Sequence, residues 1–322
     1  MTGFVVRRGL RMVLVLFAVS VLTFLIFFAT PGIDPARRLA GKNPDPVTVA
    51  HIRHAFGLDR PLPVQYALMM NHLLIHRDLV SYASSGVRVV PTMLAAAPVT
   101  LSLVFGTVVI WVILSVLMGV TSAVSHGKPI DPVLMTAGMV GISLPVFWLG
   151  EVANLITQDR LHDTFLFHWV PPLGYVSLAR NPWQWFLHLL IPWLVLAVGY
   201  IGLYGRILRS SLLEVEHEDY IRTARAKGLS ERRVLYRHAV RTAMITFVTL
   251  LGLDLGGLLG GAIVTEVVFG LPGIGLLTYN ALSKLDLPTI MATVIYGAFF
   301  IVLANAVVDV LYTWLDPRTR PA

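Results

Sequence analysis

The chain has 322 residues, of which 56% are hydrophobic and only 13% are charged, with a formal net charge of +7 and no cysteine. A soluble domain carries about 25% charged residues, so this deficit indicates long apolar segments that span a membrane and excludes an ordinary soluble globular protein. Without cysteine there are no disulfides, thiolate metal ligands or cysteine nucleophiles. The basic residues concentrate in loops between apolar runs, which argues against nucleic-acid binding.

The first 92 residues predict one span followed by a long hydrophilic section. Three arginines precede an apolar run from Met12 to Ala29. This run is longer than the about 7–15 apolar residues of a signal peptide, and it ends without a convincing cleavage site. We therefore expect a retained first span that begins in the cytoplasm. Residues 31–92 are rich in proline and predict an extracytoplasmic section with short helices near 47–56 and 63–76.

The rest of the chain predicts five further spans and places both termini in the cytoplasm. These spans cover residues 94–124, 133–157, 187–210, 242–268 and 287–314. Six spans in this orientation keep every dense basic cluster in the cytoplasm. The opposite orientation would translocate the nine basic residues between Arg206 and Arg241, which the positive-inside rule strongly disfavours.

Residues 213–241, called the basic segment below, predict two short helices between the fourth and fifth spans. Acidic residues at 216–219 would lie in the first turn of the first helix and Arg225 in its last turn, an order that suits the helix dipole. Gly228 is a natural left-handed stop, and Ser230 can cap the second helix. Helices of roughly 12 residues are too short to be stable alone in water, so the pair is predicted to be a cytoplasmic docking element.

The run DYIRTARAKGL at 219–229 resembles the cytoplasmic loop signature of permease subunits of ATP-binding-cassette (ABC) importers. The resemblance is to the first-permease type of the dipeptide, oligopeptide, nickel and glutathione group, and it covers nearly the whole chain. Its other motifs are Pro31-Gly32 with Asp34-Pro35, Gly57-Leu58-Asp59-Arg60-Pro61, Ser143-Leu144-Pro145 with Phe147-Trp148-Leu149-Gly150, Gly261-Ala262 with Glu266 and Phe269, Pro272-Gly273-x-Gly275, Asp286-x-Pro288, and Asn305, Asp309, Tyr312 and Asp316-Pro317-Arg318. Pro-Gly-x-Gly alone is weak, but the motifs together in this order are specific.

The resemblance implies an all-α membrane protein with six transmembrane helices of the type I ABC importer kind, an extracytoplasmic helical section and a cytoplasmic coupling helix pair. The implied division is 1–30 for the N-terminus and first span, 31–92 for the outer section and 93–322 for a five-span core with coupling helices at 213–241. The protein would be a multi-pass subunit of a prokaryotic inner (plasma) membrane.

The implied function is ATP-driven uptake of dipeptides, oligopeptides or similar small solutes, with nickel or glutathione as alternatives in the same architecture. The implied partners are a second homologous permease, two cytoplasmic ATPase subunits, an extracytoplasmic substrate-binding protein and membrane lipid. The chain itself is expected to hold no cofactor. Gly41-Lys42 and Gly127-Lys128 do not continue as a phosphate-binding P-loop, so ATP and Mg²⁺ are expected on the partner ATPases.

The resemblance also implies which residues couple the permease to an ATPase. They are Glu218, Asp219, Tyr220, Ile221, Thr223, Ala224, Arg225, Ala226, Lys227, Gly228, Leu229, His238 and Arg241. Tyr220 and Ile221 are expected to be apolar anchors, and the small residues are expected to permit close approach.

Polar residues within the predicted spans are candidates for a translocation pathway, because ionisable groups in a membrane are costly and by default face an interior or a water-filled path. The candidates are Glu151, Asp254, Glu266, Asn305 and Asp309. A negative lining would suit cationic substrates, whereas the structural alternative is hydrogen bonding between helices. In a second alternative these carboxylates carry protons in a secondary transporter.

Two further patterns have mainly structural interpretations. Gly252, Gly256 and Gly260 recur every four residues, a spacing that favours close helix packing. The pairs His51/His54 and His72/His76 have spacings that could bind a metal on a helix. No carboxylate pair accompanies these histidines closely, so no metal site is predicted. The sequence also lacks the H-E-x-x-H and G-x-S-x-G motifs of an enzyme.

Overall fold

The structure is a computed structural model that describes residues 2–28, 36–37, 40, 45–55, 57–84 and 86–315. For residues 2–8, 55 and 308–315 it describes the backbone alone. The motifs at 31–35 and 316–318 lie outside the described residues, as do the side chains of Asp309 and Tyr312.

The described chain is built from helices. In order they are α1 (Thr2–Phe28), α2 (Pro46–Ala55), α3 (Leu62–Met70) with a π-helical turn (Asn71–Ile75), α4 (Val89–Val124), α5 (Ile130–Ser143), α6 (Val146–Asn154) with a π-helical turn (Leu155–Arg160), α7 (Pro182–Val215), α8 (Asp219–Ala226), α9 (Glu231–Val234) with a π-helical turn (Leu235–Ala239), α10 (Val240–Val268), α11 (Ile274–Lys284) and α12 (Leu287–Leu315). The predicted helices near 47–56 and 63–76 are confirmed as α2 and α3.

Among the described residues, five helices have the length and apolar composition to cross a membrane. These are α1, α4, α7, the continuous helix formed by α9 and α10, and α12. The pair α5–α6 makes a sixth if its two halves form one span. The predicted all-α membrane class is therefore confirmed.

The third span, predicted over 133–157, is not one continuous helix. α5 ends at Ser143 and α6 begins at Val146, and the two halves are bent by 96°. The cause is local, because Pro145 has no N–H to donate and its ring keeps the preceding residue out of the helical region. Leu144 accordingly has φ −88° and ψ 126°. This part of the chain is therefore two helices at nearly a right angle.

Contacts divide the chain into two compact units, a grouping that differs from the three-part division by sequence. The first comprises residues 1–98 and 272–302. Its apolar core joins α1, α3 and α12 through the buried side chains of Phe24, Met69 and Met291. The boundaries of this unit fall inside α4 and α12, so the predicted outer section shares one core with parts of three predicted spans.

Asp286 fastens the start of α12 to the segment between α3 and α4. Its buried carboxylate accepts hydrogen bonds from the Ser81 hydroxyl at 2.6 Å, the Tyr82 backbone N–H at 2.8 Å and the Thr289 hydroxyl at 2.6 Å. Burial and the nearby carboxylate raise the pKa of the Tyr82 phenol. The Asp286-x-Pro288 motif therefore has a structural role in this unit.

Replacing this carboxylate should destabilise the protein. We expect Asp286→Ala to lower the free energy of unfolding by about 3 kcal/mol, because three donors in a largely buried site lose their charged acceptor. Asp286→Asn keeps one acceptor oxygen, so its free energy of unfolding should lie between those of the wild type and Asp286→Ala. Thermal unfolding in detergent, followed by circular dichroism, measures the effect. Asp163→Ala, at an exposed carboxylate, is the control. A midpoint for Asp286→Ala equal to that of the control would contradict the assigned role.

The second unit comprises residues 99–271 and 303–322, and α7 lies at its centre. α7 packs on α5, α6 and α10. α5 and α7 approach closely at glycines, since a Cβ added to Gly202 would lie 2.2 Å from the Gly138 carbonyl oxygen. The α6–α10 contact lies at the other end of the unit from the basic segment. There the Asn154 amide donates to the Val268 carbonyl at 3.1 Å.

Candidate functional site

The basic segment forms one short helix and the start of a long one. After α8, Gly228 has φ +76°, which confirms the predicted left-handed stop. The predicted second short helix is wrong, because Glu231–Val268 is a single helix that is long enough to span a membrane. Ser230 lies at its N-cap as predicted, but its side chain makes no capping hydrogen bond with the described residues. Glu216 closes α7 instead of opening α8.

α8 is attached to its own chain along one face. Ile221 and Ala224 are 0% and 5% exposed and belong to the same core cluster as Leu212 and Val234. Ile221 was predicted to anchor a partner subunit, whereas its burial makes it an anchor to this chain. The other members of the predicted coupling set are exposed or half-buried: Glu218, Asp219, Tyr220, Thr223, Arg225, Ala226, Lys227, Gly228, Leu229, His238 and Arg241.

Arg225 connects the parts of the basic segment to one another. Its Nη2 donates to Glu216 Oε1 at 2.8 Å, and its Nε donates to Glu231 Oε1 at 3.0 Å. Hydrogen bonds to Glu231 and then Glu216 raise the pKa of the Arg225 guanidinium. The Tyr220 hydroxyl also donates to Thr242 Oγ1 at 3.1 Å, which links α8 to α10. Polar contacts thus hold the end of α7, α8 and α9 in one arrangement.

A cavity of about 770 Å³ lies between the basic segment and the ends of α4 and α7. Its wall combines the apolar side chains of Leu212, Ile221 and Val234 with the charged side chains of Glu216 and Arg225. The apolar lining comes from the face that attaches α8 to the core, and the charged lining comes from the polar contacts of Arg225. The segment is therefore supported at particular contacts and not by continuous packing.

An ion cluster borders this cavity, because its member His126 lines the cavity wall. Asp131, only 5% exposed, accepts hydrogen bonds from Arg209 Nε at 2.6 Å, from Arg209 Nη2 at 2.5 Å and from the Ser122 hydroxyl. His126 Nδ1 lies 3.2 Å from both Asp131 Oδ2 and Arg209 Nη2. The cluster joins the end of α4, the first turn of α5 and α7. This cluster was not predicted from the sequence, although charged residues at the ends of two apolar runs were a signal.

The predicted pathway carboxylates lie on different helix pairs. Asp254 of α10 accepts a hydrogen bond from the Tyr204 hydroxyl of α7 at 2.7 Å. Glu266, which is fully buried, accepts one from the Thr100 hydroxyl of α4 at 2.5 Å. Glu151 is exposed on α6. The hydrogen bonds of Asp254 and Glu266 are of the kind that the structural alternative expects, and a role in a pathway stays a prediction.

The two remaining pathway candidates lie on α12. Asn305 is exposed, and Asp309 follows one turn later with its side chain outside the described part of the chain. Asn305 therefore lies at the surface of this chain, and a role of either residue in a translocation pathway stays a prediction.

The three glycines predicted for helix packing become less buried along α10. Gly252 is buried, Gly256 is half-buried, and a Cβ added to Gly260 would meet no described atom within 4 Å. The neighbouring Gly261 faces α7 instead, where an added Cβ would lie 2.9 Å from Leu196 Cδ1. Packing of Gly260 against another subunit stays a prediction.

The histidines of the first unit form pairs with carboxylates. His54 Nδ1 lies 2.9 Å from Asp59 Oδ2, and His72 Nδ1 lies 2.7 Å from Asp78 Oδ1. These hydrogen bonds lower the pKa of both aspartates. Within the described ranges, no group of three or more His, Asp or Glu side chains is arranged to hold a metal ion.

The comparisons with known proteins agree with the resemblance seen in the sequence. Residues 112–321 match the family described as binding-protein-dependent transport system inner membrane component, and residues 1–104 match its N-terminal companion family. These two matches together cover nearly the whole chain.

Curated relatives align from end to end. A probable peptide ABC transporter permease protein of Sinorhizobium fredii is 35% identical over 98% of this chain and 99% of its own. The probable D,D-dipeptide transport system permease protein DdpB of Escherichia coli K12 is 37% identical over 97% and 96%. The glutathione transport system permease protein GsiC of Salmonella choleraesuis is 37% identical over 99% of both chains. The chain therefore belongs to the family of binding-protein-dependent transport system inner membrane components, the permeases of ABC importers.

Proposed function

We propose that this chain is one permease subunit of a heteromeric ABC importer that takes up peptides or similar small solutes. The observation that carries the proposal is the short helix α8 in the basic segment. It is followed by the left-handed stop at Gly228, is attached to its own core by Ile221 and Ala224, and presents a polar outer face. The alignment with permeases named for peptide, D,D-dipeptide and glutathione transport supports this class of solute.

The outer face of the basic segment would contact a cytoplasmic ATPase subunit. Tyr220 and Thr223 on α8 and Lys227, which follows α8 directly, are exposed at positions i, i+3 and i+7, so they would form one stripe on the outer face. His238 and Arg241 would flank this stripe. ATP and Mg²⁺ would bind to the ATPase, which this polypeptide lacks, and closure of the ATPases would move α8 together with the spans to which it is attached.

The remaining partners follow from the same architecture. A second homologous permease would complete the pore, and the open side of Gly260 fits a close contact with that subunit. A substrate-binding protein would dock outside the inner membrane. The nine basic residues between Arg206 and Arg241 support a cytoplasmic location for the basic segment by the positive-inside rule, and both termini would then be cytoplasmic as well.

Reconstitution of the complete complex tests the proposal. In vesicles that contain both permeases and the ATPases, with the binding protein added outside, uptake of radiolabelled trialanine should require ATP. Omitting the ATPases should abolish uptake. Uptake by this chain alone, driven by a proton gradient, would instead support the secondary-transporter alternative, in which Glu151, Asp254, Glu266 or Asp309 carries the proton.

The charge of Asp254 gives a prediction about substrate preference. If this carboxylate lines the pathway, Asp254→Leu should lower uptake of a lysine-containing tripeptide roughly tenfold, equivalent to about 1.4 kcal/mol, and leave trialanine uptake nearly unchanged. Tyr204→Phe is the matched control, because it removes the hydrogen-bond donor and keeps the carboxylate. If Asp254→Leu takes up each of the two peptides at the wild-type rate, Asp254 does not line the pathway.

A further inference from the structure

Two ionic clusters hold the last two turns of α7. Arg209 is bonded to Asp131, and Glu216 is bonded to Arg225. Arg209 and Glu216 are seven residues apart, about two turns or 10 Å along one face of the helix. Leu212 lies between them and is buried in the core cluster that also contains Ile221. The end of α7 is thus connected to α4 and α5 by the first cluster and to α8 and α9 by the second.

The Asp131–Arg209 pair has a geometry that favours positioning over stability. Moving the buried Asp131 carboxylate and the partly buried Arg209 guanidinium out of water is costly, and an apolar pair of similar volume at a buried site often gives equal or greater stability. The two parallel bonds between Arg209 and Asp131 instead fix one relative orientation, because a guanidinium fork matches a carboxylate in only a few arrangements. Ser122 adds a bond from α4 to the same carboxylate.

We propose that Asp131 and Arg209 are a positioning pair that makes the ends of α4, α5 and α7 move as one body with the basic segment. This inference rests on the proposed function, because an ATPase must displace α8. Displacement of α8 reaches α7 through Leu212 and Glu216, and it reaches α4 and α5 through Asp131. Without the pair, α7 and α8 shift alone and the movement does not reach the other two helices.

Because this chain contains no cysteine, it can be labelled at two chosen positions before it is assembled into the complete complex. Spin labels are attached to Lys128→Cys, in the exposed loop between α4 and α5, and to Arg233→Cys, exposed on α9. The distance between the two spin labels is measured in the nucleotide-free state and in the vanadate-trapped state, and the two distributions are compared. In the wild-type background we expect the same distance distribution in both states, and in Asp131→Asn a shifted or broadened distribution in the trapped state.

Transport in the same preparations gives a second readout. Asp131→Asn should lower the number of trialanine molecules taken up per ATP hydrolysed by roughly fivefold or more, the size of a typical coupling effect, while the subunits still assemble. Arg209→Lys keeps the charge without the two parallel bonds and should give an intermediate ratio. Asp163→Asn, at an exposed carboxylate of the same unit, should behave as the wild type.

Each outcome decides the proposal. An unchanged distance distribution and an unchanged transport ratio in an assembled Asp131→Asn complex would overturn it. If Asp131→Asn does not assemble, Arg209→Lys and the milder Ser122→Ala decide by the same two readouts, and wild-type values in both would reject the pair. Absence of ATP-dependent uptake in the wild type would instead reject the proposed function, whereas the label distances would still report whether the helix ends move together.

Discussion

We expect Gly202→Ala to be among the most destabilising single substitutions in the second unit. The added Cβ would lie 2.2 Å from the carbonyl oxygen of Gly138, and the obstructing group is backbone, which cannot rotate away. α5 and α7 would have to separate, and overpacking of this kind costs typically 1–3 kcal/mol and occasionally more. The expected result is a lower unfolding midpoint in detergent, by about 2–4 °C for each kcal/mol in a unit of this size.

Gly199→Ala is a matched control one turn away on the same helix. Its added Cβ would have only the Gly141 carbonyl oxygen nearby, at 3.9 Å, which is an ordinary contact. Because alanine is about 1 kcal/mol better than glycine in a helix interior, this variant should be as stable as the wild type or slightly more stable. Equal midpoints for the two variants would show that α5 and α7 do not approach as closely as the structure places them.

Gly228→Val should have the largest effect on function. The residue has φ +76°, a conformation that costs an ordinary residue about 1–2 kcal/mol and a β-branched residue more. Since an added Cβ would meet no described atom within 4 Å, the cost within this chain comes from the backbone conformation alone. We expect a loss of roughly five- to thirtyfold in ATPase attachment, measured by co-purification, and a parallel loss of peptide uptake.

Gly228→Asn separates two physical causes of this loss. Asparagine tolerates the left-handed conformation but still adds a side chain to the outer face. Attachment close to the wild-type value in Gly228→Asn would identify the backbone conformation as the cause. A loss as large as that of Gly228→Val would identify close approach of the ATPase instead. Normal attachment and uptake in Gly228→Val would contradict the role of the basic segment.

The features that the sequence predicted correctly are local in the chain. The apolar runs locate the helices that are long enough to span a membrane, because each run carries its own requirement to avoid water. The stop at Gly228 depends on the conformation of one residue, and the family signature is a contiguous stretch at 219–229. The order of motifs along the chain was enough to identify the family, which the comparisons confirm.

The errors arose where a local signal was present but its consequence was not foreseen. Pro145 was noted within a motif, yet the span at 133–157 was expected to be continuous, and the chain bends there by 96°. α11 was not predicted, because its 11 residues are too few to form a span. The second helix of the basic segment was expected to stop, but no residue after Ser230 breaks it.

The sequence by itself determined the class of protein, the location of most membrane helices and the left-handed stop at Gly228, since a contiguous motif, hydropathy and glycine conformation are properties of neighbouring residues. Only the tertiary structure decided that Ile221 faces inward, that Asp131 meets Arg209 across 78 residues of chain, and that Asp254 and Glu266 bond to different helices. These pairings depend on how distant helices pack, because a buried polar group must find its partner in whichever helix lies beside it.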